Sequence, residues 1–162
     1  MSGSRLPRGR RLGVDPGAAR VGVAVCDPDG RLATGLTTLR RDKKRDTDVA
    51  ELARLVSEYE AVEVVIGRPT SLSGAGGRAV AVADDYAAKV AQAIAPVPVA
   101  RVDERFTTVS ASGALRAAGL DTRRQRSVID QTAAAVILQA YLDAQRDDDP
   151  APNAPRSEAS DC

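Results

Sequence analysis

Histidine is absent from the 162 residues, and its absence excludes reactions needing an imidazole base, the usual serine and cysteine triads, and histidine-ligated zinc. Catalysis here must rest on carboxylates, hydroxyls, lysine, arginine and metal ions. Tryptophan is also missing and aromatics are 2% of residues, so the core has to be built from valine, leucine, isoleucine and alanine, which permit close packing of helices on a sheet. The two cysteines, Cys26 and Cys162, are too few and too far apart for a metal motif or a disulfide framework. Cys26 reads as a small apolar strand residue, and Cys162 as an exposed thiol able to cross-link two chains on oxidation. No apolar run is long enough to span a membrane, and the N-terminus lacks the apolar core of a secretion signal, which predicts a soluble cytoplasmic protein with no membrane partner.

Net charge is nearly lacking as well, at +1, but its distribution is uneven. Residues 1–11 carry +4 and read as a flexible basic arm; residues 146–162 carry −3 and, with their prolines, predict a disordered tail. One domain is left at 12–145, where 17 bases balance 17 acids. Two local clusters stand out within it, Arg40-Arg41-Lys43-Lys44-Arg45 and Arg123-Arg124-Arg126. Each is either a solvated loop or a phosphate-contacting patch.

What is present is organised around Leu12-Gly13-Val14-Asp15-Pro16-Gly17 and the following Val21-Gly22-Val23-Ala24-Val25. Two β-branched runs flank a Pro-Gly corner, which predicts two antiparallel strands with one carboxylate at their turn. Asp15 either starts that turn by accepting backbone N–H bonds or meets a divalent cation. A third strand, Leu32–Leu39, completes a meander. A helix beginning near Asp48, a buried strand at Val62–Ile66, a helix over about Arg78–Ala95 and a strand at Val97–Val102 follow. Thr107, Thr108 or Ser110 can cap a helix running to Ala118, and a last helix covers about Ser127–Gln145. The segment 70–77, with three glycines and three hydroxyls, predicts a mobile loop, either an idle connection or one that closes over a ligand. This order calls for a mixed five-stranded α/β sheet, antiparallel in its first half and parallel in its second, with helices on both faces.

On that scheme Asp15 ends the first strand, Asp103 and Glu104 end the last, and Asp130 lies in the first turn of the final helix. Taken singly, Asp130 complements the helix dipole and Asp103-Glu104 make an ordinary helix entry beside Arg105. Taken together, three acidic segments at element ends can converge on Mg²⁺ or Mn²⁺, and such ions activate water for phosphodiester cleavage without histidine.

Gly13-Val14-Asp15-Pro16-Gly17, Arg20-Val21-Gly22-Val23-Ala24, Ile66-Gly67-Arg68-Pro69, Asp103-Glu104-Arg105-Phe106-Thr107-Thr108 and Asp130-Gln131-Thr132-Ala133-Ala134 with Ile137-Leu138 together resemble the YqgF family, also called RuvX. The resemblance covers about residues 11–145. It implies an RNase H-like fold, a cytoplasmic location and metal-dependent phosphodiester hydrolysis, directed at the 5′ end of precursor 16S ribosomal RNA or at Holliday junctions. By motif, the catalytic and metal-binding acids would be Asp15, Glu104 (with Asp103 beside it) and Asp130. The chain departs from the family at Ala19, where lysine is frequent, at Arg68 and Phe106, where leucine is usual. No carboxylate is lost. Arg20, Arg68 and Arg105 are the candidate phosphate contacts, and Thr107 can cap its helix and hold Glu104 in place.

Two other classes fit parts of the pattern. The Asp-x-Gly corner resembles the phosphate corner of sugar kinases and actin-like ATPases, but those need two such domains and only one is present. A nucleic-acid-binding module without catalysis would keep its function when Asp15 is lost, whereas a nuclease would not. As partners, structured RNA needs one site on a monomer, and branched DNA needs two in a symmetric homodimer.

Overall fold

Strand alternation sorts the first hairpin into two faces. The computed structural model describes residues 7–69, 77–104 and 123–147. Within β1 (Arg11–Pro16), Leu12 and Val14 point to one face of the sheet and Gly13 and Asp15 to the other; β2 (Arg20–Cys26) divides Val21 and Val23 from Gly22, Ala24 and Cys26 in the same way. The two pair antiparallel with Asp15 opposite Gly22, and β3 (Ala33–Arg40) pairs antiparallel with β2, a bulge shifting the register beyond Val23.

The chain then crosses over. After α1 (Thr47–Glu58), β4 (Glu63–Arg68) lies parallel to β1 on its free side; α2 (Gly77–Ile94) leads to β5 (Val99–Asp103), parallel to β4. The order is β3-β2-β1-β4-β5, and α3 (Arg123–Asp147) closes the described chain. This is the mixed five-stranded sheet expected, with α1 and α2 over one face on Val14, Val21, Val64 and Ile66, and α3 over the other on Ala24, Val65 and Ala100. The helix expected at 107–118, residues 70–76 of the loop expected at 70–77, and Cys162 lie outside the described residues, while Gly77 begins α2. No described helix is long and apolar enough to cross a membrane.

Two boundaries differ from expectation. Arg11, counted with the basic arm, is a buried strand residue: its guanidinium donates to Glu63 Oε1 at 2.9 Å and to the carbonyls of Pro7 and Gly9, while Tyr141 Oη donates to the other Glu63 oxygen. Its partner is 52 residues away, so nothing local marks it as a core residue. The arginines at 123–126, read as a loop, are the start of α3. Asp130 is therefore the eighth residue of the helix, at the end of its second turn and not in the first, and a dipole role for it falls away.

The β2–β3 turn is held by Asp27, whose carboxylate accepts the backbone N–H groups of Leu32, Arg31 and Asp29 at 2.7, 2.9 and 3.1 Å. These bonds, Leu32's first, hold its carboxyl below the ordinary 3.8. A depressed folded value contributes stability above the unfolded pKa and loses it as the pH falls through the folded one. Asp27→Ala should thus lower the urea midpoint at pH 7, and the gap to wild type should close in melts below pH 3.8, the ordinary aspartate value.

Candidate active site

The carboxyl ends of β1, β3, β4 and β5 and the start of β2 share one edge of the sheet. Strand order reverses there: β1 has β2 on one side and β4 on the other, and crevices at such reversals are where open α/β sheets bind ligands. Asp15 stands at that point, on the α3 face. Gly22, opposite it, lets α3 come so close that an added Cβ would lie 2.0 Å from the Asp130 carbonyl oxygen and 3.2 Å from the Asp130 Cβ. The missing side chain at 22 brings the third acid of the set beside the first.

The second acid arrives from the other side. Val14 pairs with Ile66, so Gly67 follows one residue on in the strand beside Asp15, strands being about 4.8 Å apart. A Cβ at Gly67 would meet Ile137 Cδ1 of α3 at 2.6 Å and Glu104 Oε2 at 3.3 Å. Glu104, directly after β5, thus turns its carboxylate to the α3 face, alongside Asp15. Asp103 pairs instead with Arg68, and alternation puts both on the α2 face. Arg68, expected to contact phosphate, donates to Asp84 of α2 at 3.1 Å, as does Arg101. Those two guanidiniums, Arg68's first, hold Asp84 below the ordinary carboxylate range. Arg105 and Thr107 lie outside the described residues.

Three charged side chains are buried among the described residues, each ion-paired: Arg11 with Glu63, Asp48 with Arg41 at 2.8 Å, and Asp130 with Arg20 at 2.6 Å. Arg11 starts β1, at the far edge of the sheet, and Asp48 lies in α1, on the opposite face from α3. Asp130, 5% exposed, is the one buried beside Asp15 and Gly22, and Arg20, about a third exposed, is the group that neutralises it. A buried carboxylate kept beside a half-open arginine at the crevice is costly unless it has work to do there.

The donor set is oxygen only. No three acids or cysteines among the described residues gather into a ready-made metal cluster. Mg²⁺ and Mn²⁺ are hard cations, and Mg²⁺ commonly takes only one or two carboxylates, leaving its other positions to water and substrate phosphate. Asp15 and Glu104, on one face with only the side-chain-free Gly67 of β4 between their strands, fit that pattern, with Asp130 held by Arg20 alongside.

The sequence matches, over residues 9–144, the family described as "RuvX: Holliday junction resolvase". The chain belongs to the RuvX family. Relatives named "Putative pre-16S rRNA nuclease" include one from Mycobacterium sp. (strain KMS), 55% identical over 139 residues that span 86% of this chain and 82% of the relative. Another, from Streptomyces coelicolor, is 53% identical over 146 residues, 89% of this chain and 86% of the relative. Among solved structures, Thermus thermophilus RuvC in complex with a Holliday junction substrate superposes with a TM-score of 0.51 at 16% identity, covering 84% of this chain and 96% of RuvC. That likeness establishes the fold as the RNase H-like one of RuvC.

Sequence reading of this RuvX chain overlooked Gly22 and Gly67 as parts of the site. Glycine inside a β-branched run was the available signal, since it marks a close approach of backbone.

Proposed function

We propose that this RuvX chain is a divalent-metal-dependent endonuclease acting on precursor 16S rRNA, with Asp15, Glu104 and Asp130 as its acids. The observation that supports the reading is that Gly22 and Gly67, in the strands on either side of Asp15, let Asp130 of α3 and the Glu104 carboxylate approach the same face of the sheet as Asp15. When bound, Mg²⁺ or Mn²⁺ supplies an activated water and neutralises charge on the scissile phosphate. Asp15 and Glu104 are the groups suited to hold it. Asp103 faces the other way and is left out. Arg20 orients Asp130 through their 2.6 Å pair while lying open enough to meet a phosphate oxygen. Residues 11–145 would form the nuclease domain between a basic arm and an acidic tail, and an rRNA substrate would put its work in the cytoplasm.

The relatives' names favour precursor rRNA and the family description favours a four-way junction. The chemistry at the bond is the same, but resolution needs a homodimer and end-trimming does not. The deciding experiment incubates purified protein with labelled 16S precursor ends and with four-way DNA junctions, in Mg²⁺, in Mn²⁺ and in chelator. Cleavage of the RNA that stops on chelation is the expected result. Cleavage that persists in chelator would overturn the metal assignment, and cutting of junctions alone would move the protein to the resolvase class.

A further inference from the structure

Beside the carboxylates lies a groove of about 430 Å³ lined by Ala19, Arg20, Thr38, Leu39, Arg40, Arg126 and Ser127. We propose that it is a phosphate subsite for the nucleic-acid strand flanking the reacting bond; this rests on the nuclease reading above and adds to it where the strand runs.

Its three arginines come from the start of β2, from the end of β3 and from the basic start of α3. No acid is among the described residues lining it. Arg20 and Arg40 are register partners in the antiparallel pair, and like charges directly opposite one another destabilise a sheet. Asp130 offsets the charge of Arg20. Arg40, exposed at the end of β3, adds positive charge to the same hollow, which favours a bound anion.

Position points to which anion. Gly22 pairs with Asp15 on one side and Thr38 on the other, so Arg20 and Arg40 form the next same-face row outward, two residues or about 7 Å along the strands. The groove is therefore continuous with the carboxylate row. Its walls are fixed: Arg41 N–H donates to the Ala19 carbonyl at 2.9 Å, and Thr38 Oγ1 to the Ser127 carbonyl at 2.9 Å, tying the β1–β2 turn, β3 and α3 together. Guanidinium forks and the Ser127 hydroxyl suit phosphate oxygens. The described residues of the lining include no aromatic ring, so they would grip a strand by its backbone and not by its bases.

The test measures anisotropy of a labelled single-stranded RNA against salt concentration in chelator, and KM and kcat in metal, for wild type, Arg40→Glu/Arg126→Glu and Arg40→Lys/Arg126→Lys. Loss of two phosphate contacts should flatten the log–log salt slope by about 1.4 for a single strand. KM should rise about tenfold or more with kcat nearly unchanged, and the lysine pair should recover most of the slope. Should the glutamate pair fail to fold, Arg40→Gln/Arg126→Gln takes its place. An unchanged slope and KM in a folded variant would overturn the subsite while leaving the nuclease standing. A flattened slope in a protein that cuts nothing would keep the subsite and overturn the nuclease. A mononucleotide or inorganic phosphate that binds wild type more tightly than the strand, and loses that affinity in the variant, would also overturn it.

Discussion

Asp15→Asn is expected to lower the cleavage rate on the order of 10³-fold, about 4 kcal/mol of transition-state stabilisation, while the protein melts close to wild type. Asparagine has the shape of aspartate and keeps an acceptor for turn N–H groups, so the β1–β2 hairpin survives; what disappears is the negative charge that a hard cation requires. Glu104→Gln should behave alike, since Glu104 faces Asp15 across Gly67. Asp103→Asn should cost less than about tenfold, because its carboxylate shares the α2 face with Arg68 and not the α3 face with Asp15. The four proteins assayed side by side, single-turnover in saturating Mg²⁺, give the answer. Equal losses at 103 and 104 would sink the face assignment, and full activity in Asp15→Asn would remove the carboxylate site altogether.

That difference between neighbours was not legible in the sequence. The run Val97–Val102 has apolar residues at both parities with Arg101 the single exception, too little alternation from which to read which way its last residues turn. Register supplies what pattern lacks: Arg68 opposite Asp103 fixes the parity. The meander, by contrast, was legible, because Val14, Val21 and Val23 alternate with glycine, alanine and aspartate around a Pro-Gly corner. The start of α3 was not, since Arg123–Arg126 offer no apolar periodicity to mark the first turn. Arg68 was read from its place at a strand end, but its partner Asp84 sits one helix later and redirects it. Long-range ion pairs of this kind, like Arg11 with Glu63, are invisible until the elements are assembled.

Gly22→Ala should be among the most damaging single methyl additions in the chain, destabilising by about 3 kcal/mol and lowering the melting temperature by roughly 10 °C. Its new Cβ would sit 2.0 Å from the carbonyl oxygen and 2.5 Å from the carbonyl carbon of Asp130, both backbone atoms of a long helix that no rotamer change can move aside. The helix itself has to retreat. Gly35→Ala offers the contrast: its Cβ meets the Gln131 Cβ at 2.8 Å from the edge strand β3, which can yield, and about 1 kcal/mol is expected there. Retreat at Gly22 also carries Asp130 away from Asp15 and strains its 2.6 Å pair with Arg20, and a misplacement of about 1 Å in a catalytic group costs on the order of 10²-fold. Activity should therefore remain depressed at temperatures where Gly22→Ala is fully folded, whereas Gly35→Ala should cut normally once folded. Circular-dichroism melts paired with kinetics below the transition separate the two effects. If Gly22→Ala matches Gly35→Ala in both, glycine at 22 is not what brings α3 and its acid onto the strand ends.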